Sequence, residues 1–197
     1  MKTRDEALAL LHEYTKSDSL LKHALAVEAA MRWHAEKNGL SPEETSLWAI
    51  TGLLHDFDYE QFPTSNPPDG HPYRGNIILG ELGYPEEMRT AIMGHALYTN
   101  TPRESLMAKT LFAVDEMSGL ITAAVLVRPD KSIHQLQVKS VKKKFKDKAF
   151  ARGCNREEML LAVEELGVEL DKHIENMIEA LRGVAEPLGL AGFRESA

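Results

Sequence analysis

The residues best suited to chemistry in this chain are histidines and aspartates placed where apolar residues belong. The stretch "GLLHDFDYE", residues 52–60, runs from apolar residues straight into His55, Asp56, Asp58 and Glu60. His23 has Leu20 three positions before it, Val27 four after and Ala30 seven after, which sets it on the apolar stripe of a helix. His95 has Met88, Ala91 and Ile92 behind it at helical spacing, and Asp115 follows Leu111 by four inside "LFAVDEMSGLI". A carboxylate buried without a partner does not keep its charge. Imidazoles and carboxylates that point inward from several helices therefore need a common partner, and a divalent cation makes their burial favourable.

His23, His55, Asp56 and Asp115 form a four-ligand set with room left for water. Adding His71 and His95 gives six ligands, enough for two ions bridged by one carboxylate. The set offers nitrogen and oxygen donors and no sulfur, which suits Mn, Fe or Zn better than a soft metal. Cys154 is the single cysteine, so the chain can form no internal disulfide and has no Cys-x-x-Cys knuckle. It reads as a buried or incidental thiol in a reducing compartment.

The elements that must position these residues are helical. "SPEE" at 41–44 is a capping box with Pro42 at the first helical position, "TPRE" at 101–104 repeats it, and Asn155 starts "NREE". Gly39, Gly83 and Gly153 stand where helices should stop. The pattern predicts helices at 4–15, 19–37, 42–56, 72–82, 86–97, 102 to 120 or beyond, 138–151, 156–166 and 168–186. "TAAVLV" at 122–127 has the composition of a strand, but nothing else in the chain would pair with it, so the helix is expected to continue. The long loop at 58–71, rich in Pro, Asn, Asp and Gly, joins two ligand-bearing segments. The expectation is one all-α domain over 1–197, with a metal-binding core at 18–127 and a helical extension at 130–190.

Lys and Arg total 23 against 30 Asp and Glu, a net charge of −7, which argues against a broad nucleic-acid footprint. The N-terminus carries Asp5 and Glu6 ahead of its apolar residues and does not read as a signal peptide. The longest weakly charged run, Met117 to Val127, is short of the roughly 20 residues a membrane span needs. A cytoplasmic protein with no membrane or nucleic-acid partner is expected. The basic run at 139–152 alternates with Val141, Phe145 and Ala149, which marks the solvated face of an amphipathic helix; a lid whose lysines attract an anionic substrate is the second reading. His34 falls on nearly the same face as His23 and reads as a core or supporting histidine. His12, His134 and His173 lack ligand context and are expected at the surface.

The order His23, then His55-Asp56 in "LLHD", then Asp115 on an all-α framework resembles the HD superfamily of metal-dependent phosphohydrolases. The resemblance covers about residues 18–127. Members with two further histidines in the interval, here matched by His71 in "DGHPYRG" and His95 in "IMGHALY", bind two metals. In those members the aspartate of the pair bridges the ions, which assigns that role and the catalytic position to Asp56. The resemblance implies hydrolysis of a small phosphate ester or anhydride, such as a nucleotide, through metal-activated water. It also leaves two alternatives: a di-iron oxygenase on the same ligands, or a non-catalytic metal-bound sensor or interaction module. Many relatives continue the pair with Ile-Gly-Lys, whereas this chain has Phe57, Asp58 and Tyr59. Asp58 then reads either as a partner of a ligating histidine or as a solvated loop carboxylate. Arg74, one helical turn after His71, is the candidate phosphate clamp, with a surface arginine as the plain reading.

Overall fold

The computed structural model describes residues 2–193. The fold is all-α: ten α-helices and two short 3-10 turns, with an isolated bridge between Ser132 and Ala191 and no strand among the described residues. The chain divides into two compact units, Met1–Phe112 and Ala113–Ala197.

The first unit holds α1 (Arg4–Tyr14), α2 (Asp18–Lys37), α3 (Pro42–Leu54), α4 (Tyr73–Glu81), α5 (Glu86–His95) and the start of α6 (Leu106–Leu126). Helix starts follow the capping chemistry. Thr3 and Glu6 form one reciprocal capping box, and Ser41 and Glu44 form another with Pro42 at the first helical position. The most extensive helix pairing among the described residues is α2 on α3. It buries Val27 and Met31 from one helix and Ile50, Leu53 and Leu54 from the other. Gly52 permits this approach: a Cβ there would lie 2.7 Å from the Val27 carbonyl oxygen and 2.9 Å from Met31 Cγ. A bidentate pair ties α1 to α2, with Arg4 donating to the two oxygens of buried Glu28 at 2.5 and 2.8 Å.

The connection from α3 to α4 has no helix, yet its backbone is tied down. The Thr15 hydroxyl donates to the Phe57 carbonyl at 2.9 Å, and the His71 amide donates to the Phe62 carbonyl at 2.8 Å. Glu60 accepts the amides of Lys16 and Ser17 at 2.7 and 3.0 Å.

The second unit holds the rest of α6, then α7 (Val138–Lys146), α8 (Arg156–Leu166), α9 (Leu170–Arg182) and α10 (Ala185–Leu188). The helix through 122–127 is continuous to Leu126, as expected. Several details differ from the sequence reading, among them the helix expected over 168–186, which breaks after Arg182 into α9 and α10. The helix expected from 102 begins at Leu106, because the Ser105 hydroxyl caps it by accepting the Ala108 amide at 3.1 Å. The helix expected over 138–151 stops at Lys146, because Asp147 folds the chain into a turn by accepting the Ala149 amide at 3.0 Å. His173 is buried rather than exposed, and its Nε2 donates to the Ala113 carbonyl at 2.8 Å. Burial outweighs that bond and lowers the His173 pKa, so the ring is neutral.

Gly52→Ala is expected to cost about 2–3 kcal/mol by overpacking the α2–α3 contact. Thermal unfolding should show this as a melting temperature lower by roughly 5–10 °C.

Candidate metal centre

The centre is built from two helix ends and one anchored loop. His55 is the first residue past α3 and His95 is the last residue of α5. The final carbonyls of a helix have no partner inside the helix, and both histidines use one. His55 Nδ1 donates to the Gly52 carbonyl at 2.8 Å, and His95 Nδ1 donates to the Ile92 carbonyl. A carbonyl can only accept, so Nδ1 carries the proton in each neutral ring, leaving Nε2 to bond Asp56 when the ring is protonated or to present a lone pair to an ion.

His71 is fixed differently. Its Nδ1 donates to Asp58 Oδ1 at 2.7 Å, while Asp58 Oδ2 accepts the Gly75 amide, also at 2.7 Å. Asp58 thus supports an imidazole with one oxygen and caps the first turn of α4 with the other, favourable to the dipole of that helix. It is 1% exposed, which decides between the two sequence readings in favour of the histidine partner. Gly75 is required here, since a Cβ would stand 2.6 Å from the Asp58 carboxyl carbon.

These anchors bring four Nε2 atoms to one carboxylate. His23 and His55 Nε2 lie 3.2 Å apart and face Asp56 Oδ2 at 3.8 and 3.4 Å. His71 and His95 Nε2 also lie 3.2 Å apart and face Asp56 Oδ1 at 3.2 and 3.3 Å. The result is two three-residue groups able to hold metal, His23–His55–Asp56 and Asp56–His71–His95, which share Asp56. Two nitrogens bound to one ion at about 2.0–2.1 Å stand roughly 2.8–3.4 Å apart between octahedral and tetrahedral angles, so both pairs fit a divalent transition metal.

The electrostatics agree. Desolvation opposes the charge on Asp56, but the charge of His55 and hydrogen bonds from His55, His71 and His95 hold its pKa well below the usual carboxylate range. Burial pulls the His71 imidazole down, yet its bonds to Asp56 and Asp58 prevail and push it up to about 9. Tyr98 donates its hydroxyl to the His71 carbonyl at 2.8 Å, and the edge of the exposed Tyr59 ring meets His71 at 5.4 Å between centroids. Burial first, and the charge of Asp56 second, raise the Tyr98 pKa to about 12, so it stays a neutral donor.

Five of the six expected ligands, His23, His55, Asp56, His71 and His95, thus come together. Asp115 lies half-buried on α6 in the second unit, where the Ser118 hydroxyl donates to its carbonyl at 2.8 Å. Arg74 places its guanidinium 5.9 Å from the centre of the Phe62 ring and forms no ion pair among the described residues. His34 is buried against Trp33, and His12 and His134 are exposed, as expected. Tyr98 and Gly75 were not singled out by sequence. Neither helical spacing nor residue type marks them, because each meets the site across a loop.

Residues 20–120 match the family model of the HD domain. Neither a curated protein nor a solved structure matches this chain.

An ion entering the second group must displace the proton that His71 holds up to about 9. Metal affinity should therefore rise with pH between 6 and 9, by up to about tenfold per unit, as a competing chromophoric chelator would report. In ion-free protein the sign is reversed. The raised His71 pKa contributes stability that is complete below its ordinary 6.5 and lost as pH rises through about 9, visible as a falling melting temperature. Asp58→Asn should weaken metal binding by about 10–100-fold in the same titration.

Proposed function

Because the chain belongs to the HD-domain family, generally metal-dependent hydrolases that bind divalent metals, we propose that it hydrolyses a small phosphate ester or anhydride, such as a nucleotide. In this reading His23, His55, Asp56, His71, His95 and Asp115 hold two divalent transition-metal ions. The observation that supports it most is Asp56, whose two oxygens face two separate imidazole pairs. Asp115 enters on the ligand order of the family.

Such ions, when bound, neutralise charge on a phosphoryl group and lower the pKa of water towards about 7. The chain contributes position and charge. Main-chain carbonyls and Asp58 hold three imidazoles in the tautomer that presents Nε2, so no ring must reorient during turnover. Asp56 is the catalytic carboxylate in this scheme; it is fully ionised at neutral pH and takes no part as an acid. Tyr98 remains protonated and steadies the backbone of His71. Arg74 has no carboxylate partner among the described residues, which leaves its guanidinium available to a phosphate. Among the described residues no helix is long and apolar enough to cross a membrane. The single cysteine favours a cytoplasmic setting.

The test is phosphate release under anaerobic conditions from nucleotides, sugar phosphates and an aryl phosphate, with metal content measured on the same preparations. The expected result is about two ions per chain in the parent and fewer in His71→Ala and His95→Ala, with activity reduced in both by roughly a hundredfold or more. Arg74→Ala should raise KM several-fold, about 1 kcal/mol, with little change in kcat. Oxygen uptake without phosphate release would replace this reading with the di-iron oxygenase. Full metal content with no turnover across the panel would favour a sensor or interaction module.

A further inference from the structure

A cleft of ≈ 730 Å³ lies wholly within the second unit, where the end of α7, the turn at 147–155 and the start of α8 meet. Its walls carry four cations, Lys146, Lys148, Arg152 and Arg156, against one carboxylate, Glu157. That excess stands out in a chain whose net charge is −7. Nearby lysines find carboxylates, as Lys142 does with Asp171 and Lys172 with Glu175. Among the described residues, none of the four cleft cations forms an ion pair.

The cleft is preformed by one of those cations. Arg156 donates from Nη1 to the carbonyls of Ala151 and Cys154, at 2.6 Å each, and from Nη2 to the carbonyl of Phe150. These bonds curl the turn around the guanidinium, so no ordering of that turn has to accompany binding. Neutral carbonyls leave the charge of Arg156 in place, and its buried Nε has no hydrogen-bond partner among the described residues. The remaining walls include Phe145 and Leu160, the latter a large apolar side chain left 47% exposed. Cys154 also lines the cleft but is no nucleophile: burial, with the charge of Glu116 behind it, pushes its thiol up to about 11.

A solvated lysine face would be convex and would need no apolar companion. Here the cations line a concavity, which focuses their field on an anion. The volume falls in the range of small-molecule sites, about 300–1,000 Å³. We propose that this cleft binds a nucleoside triphosphate, with the phosphate chain on Lys146, Lys148 and Arg152 and the base against Phe145 and Leu160. The site contains none of the metal-ligand residues and stands independently of the hydrolase reading.

The experiment is calorimetric titration of the full chain, stripped of divalent ions, with ATP and with inorganic triphosphate at low salt. Both probes should bind, ATP the more tightly. The double substitution Lys148→Ala and Arg152→Ala, at exposed positions, should weaken both by about tenfold or more, with the far-UV circular dichroism unchanged. Leu160→Ala should weaken ATP by about fivefold and leave triphosphate unaffected. His71→Ala should leave both affinities as they are. Absence of saturable ATP binding, equal affinity for the two probes, or loss of binding in His71→Ala would each overturn the assignment. The last would place the anion at the metal centre instead.

Discussion

Asp56 holds four imidazoles to one point, and the first unit is arranged around what that convergence demands. Imidazole lone pairs 3.2 Å apart repel unless positive charge lies between them. A carboxylate oxygen cannot supply that charge; the protein divides the rings into two pairs that each face one oxygen of Asp56, which makes two groups each suited to a cation. Moving Asp56 would separate the pairs, and no other carboxylate in these groups could rejoin them. The close approach of α2 and α3 over Gly52 follows from the same need, since His23 and His55 must meet across that contact.

The helix ends have a chemical role here. Helices usually satisfy their last carbonyls with water or a following turn, whereas α3 and α5 give one each to a histidine. The histidine appears where a helix stops because that is where the backbone has an acceptor to spare. The loop between α3 and α4 supplies the third anchor, and it can do so because its Phe57 carbonyl is bonded to Thr15 and its Glu60 carboxylate to the amides of Lys16 and Ser17. In the second unit a guanidinium plays a comparable part, collecting three carbonyls of one turn into a rigid wall.

Much of this was legible in the sequence where helical periodicity governs. His23, His55 and His95 betrayed themselves by standing at apolar positions, and the all-α fold followed from caps and spacing. Asp58 was ambiguous because a loop has no period, and only its contact with His71 and Gly75 settles its role. The start of α6 was misplaced because Thr101 and Ser105 both offer a cap, and it is the Ser105 hydroxyl that accepts a helix amide. His173 was misjudged for want of a ligand partner, although Leu170, Ile174, Met177 and Leu181 mark its stripe as the buried one. The excess of cations between α7 and α8 showed in the sequence as the basic run at 139–152, but nothing in its spacing told that the cations line a concavity.

The two kinds of anchor differ in what mutation can do to them. No substitution removes the Gly52 or Ile92 carbonyl, so the orientation of His55 and His95 is protected from single-codon change. The anchor of His71 is a side chain, and one codon at position 58 would alter the basicity of that imidazole while leaving its coordinates nearly in place. The site therefore has a fixed half and an adjustable half, and divergence in metal preference among descendants of this chain would be expected to run through Asp58 first.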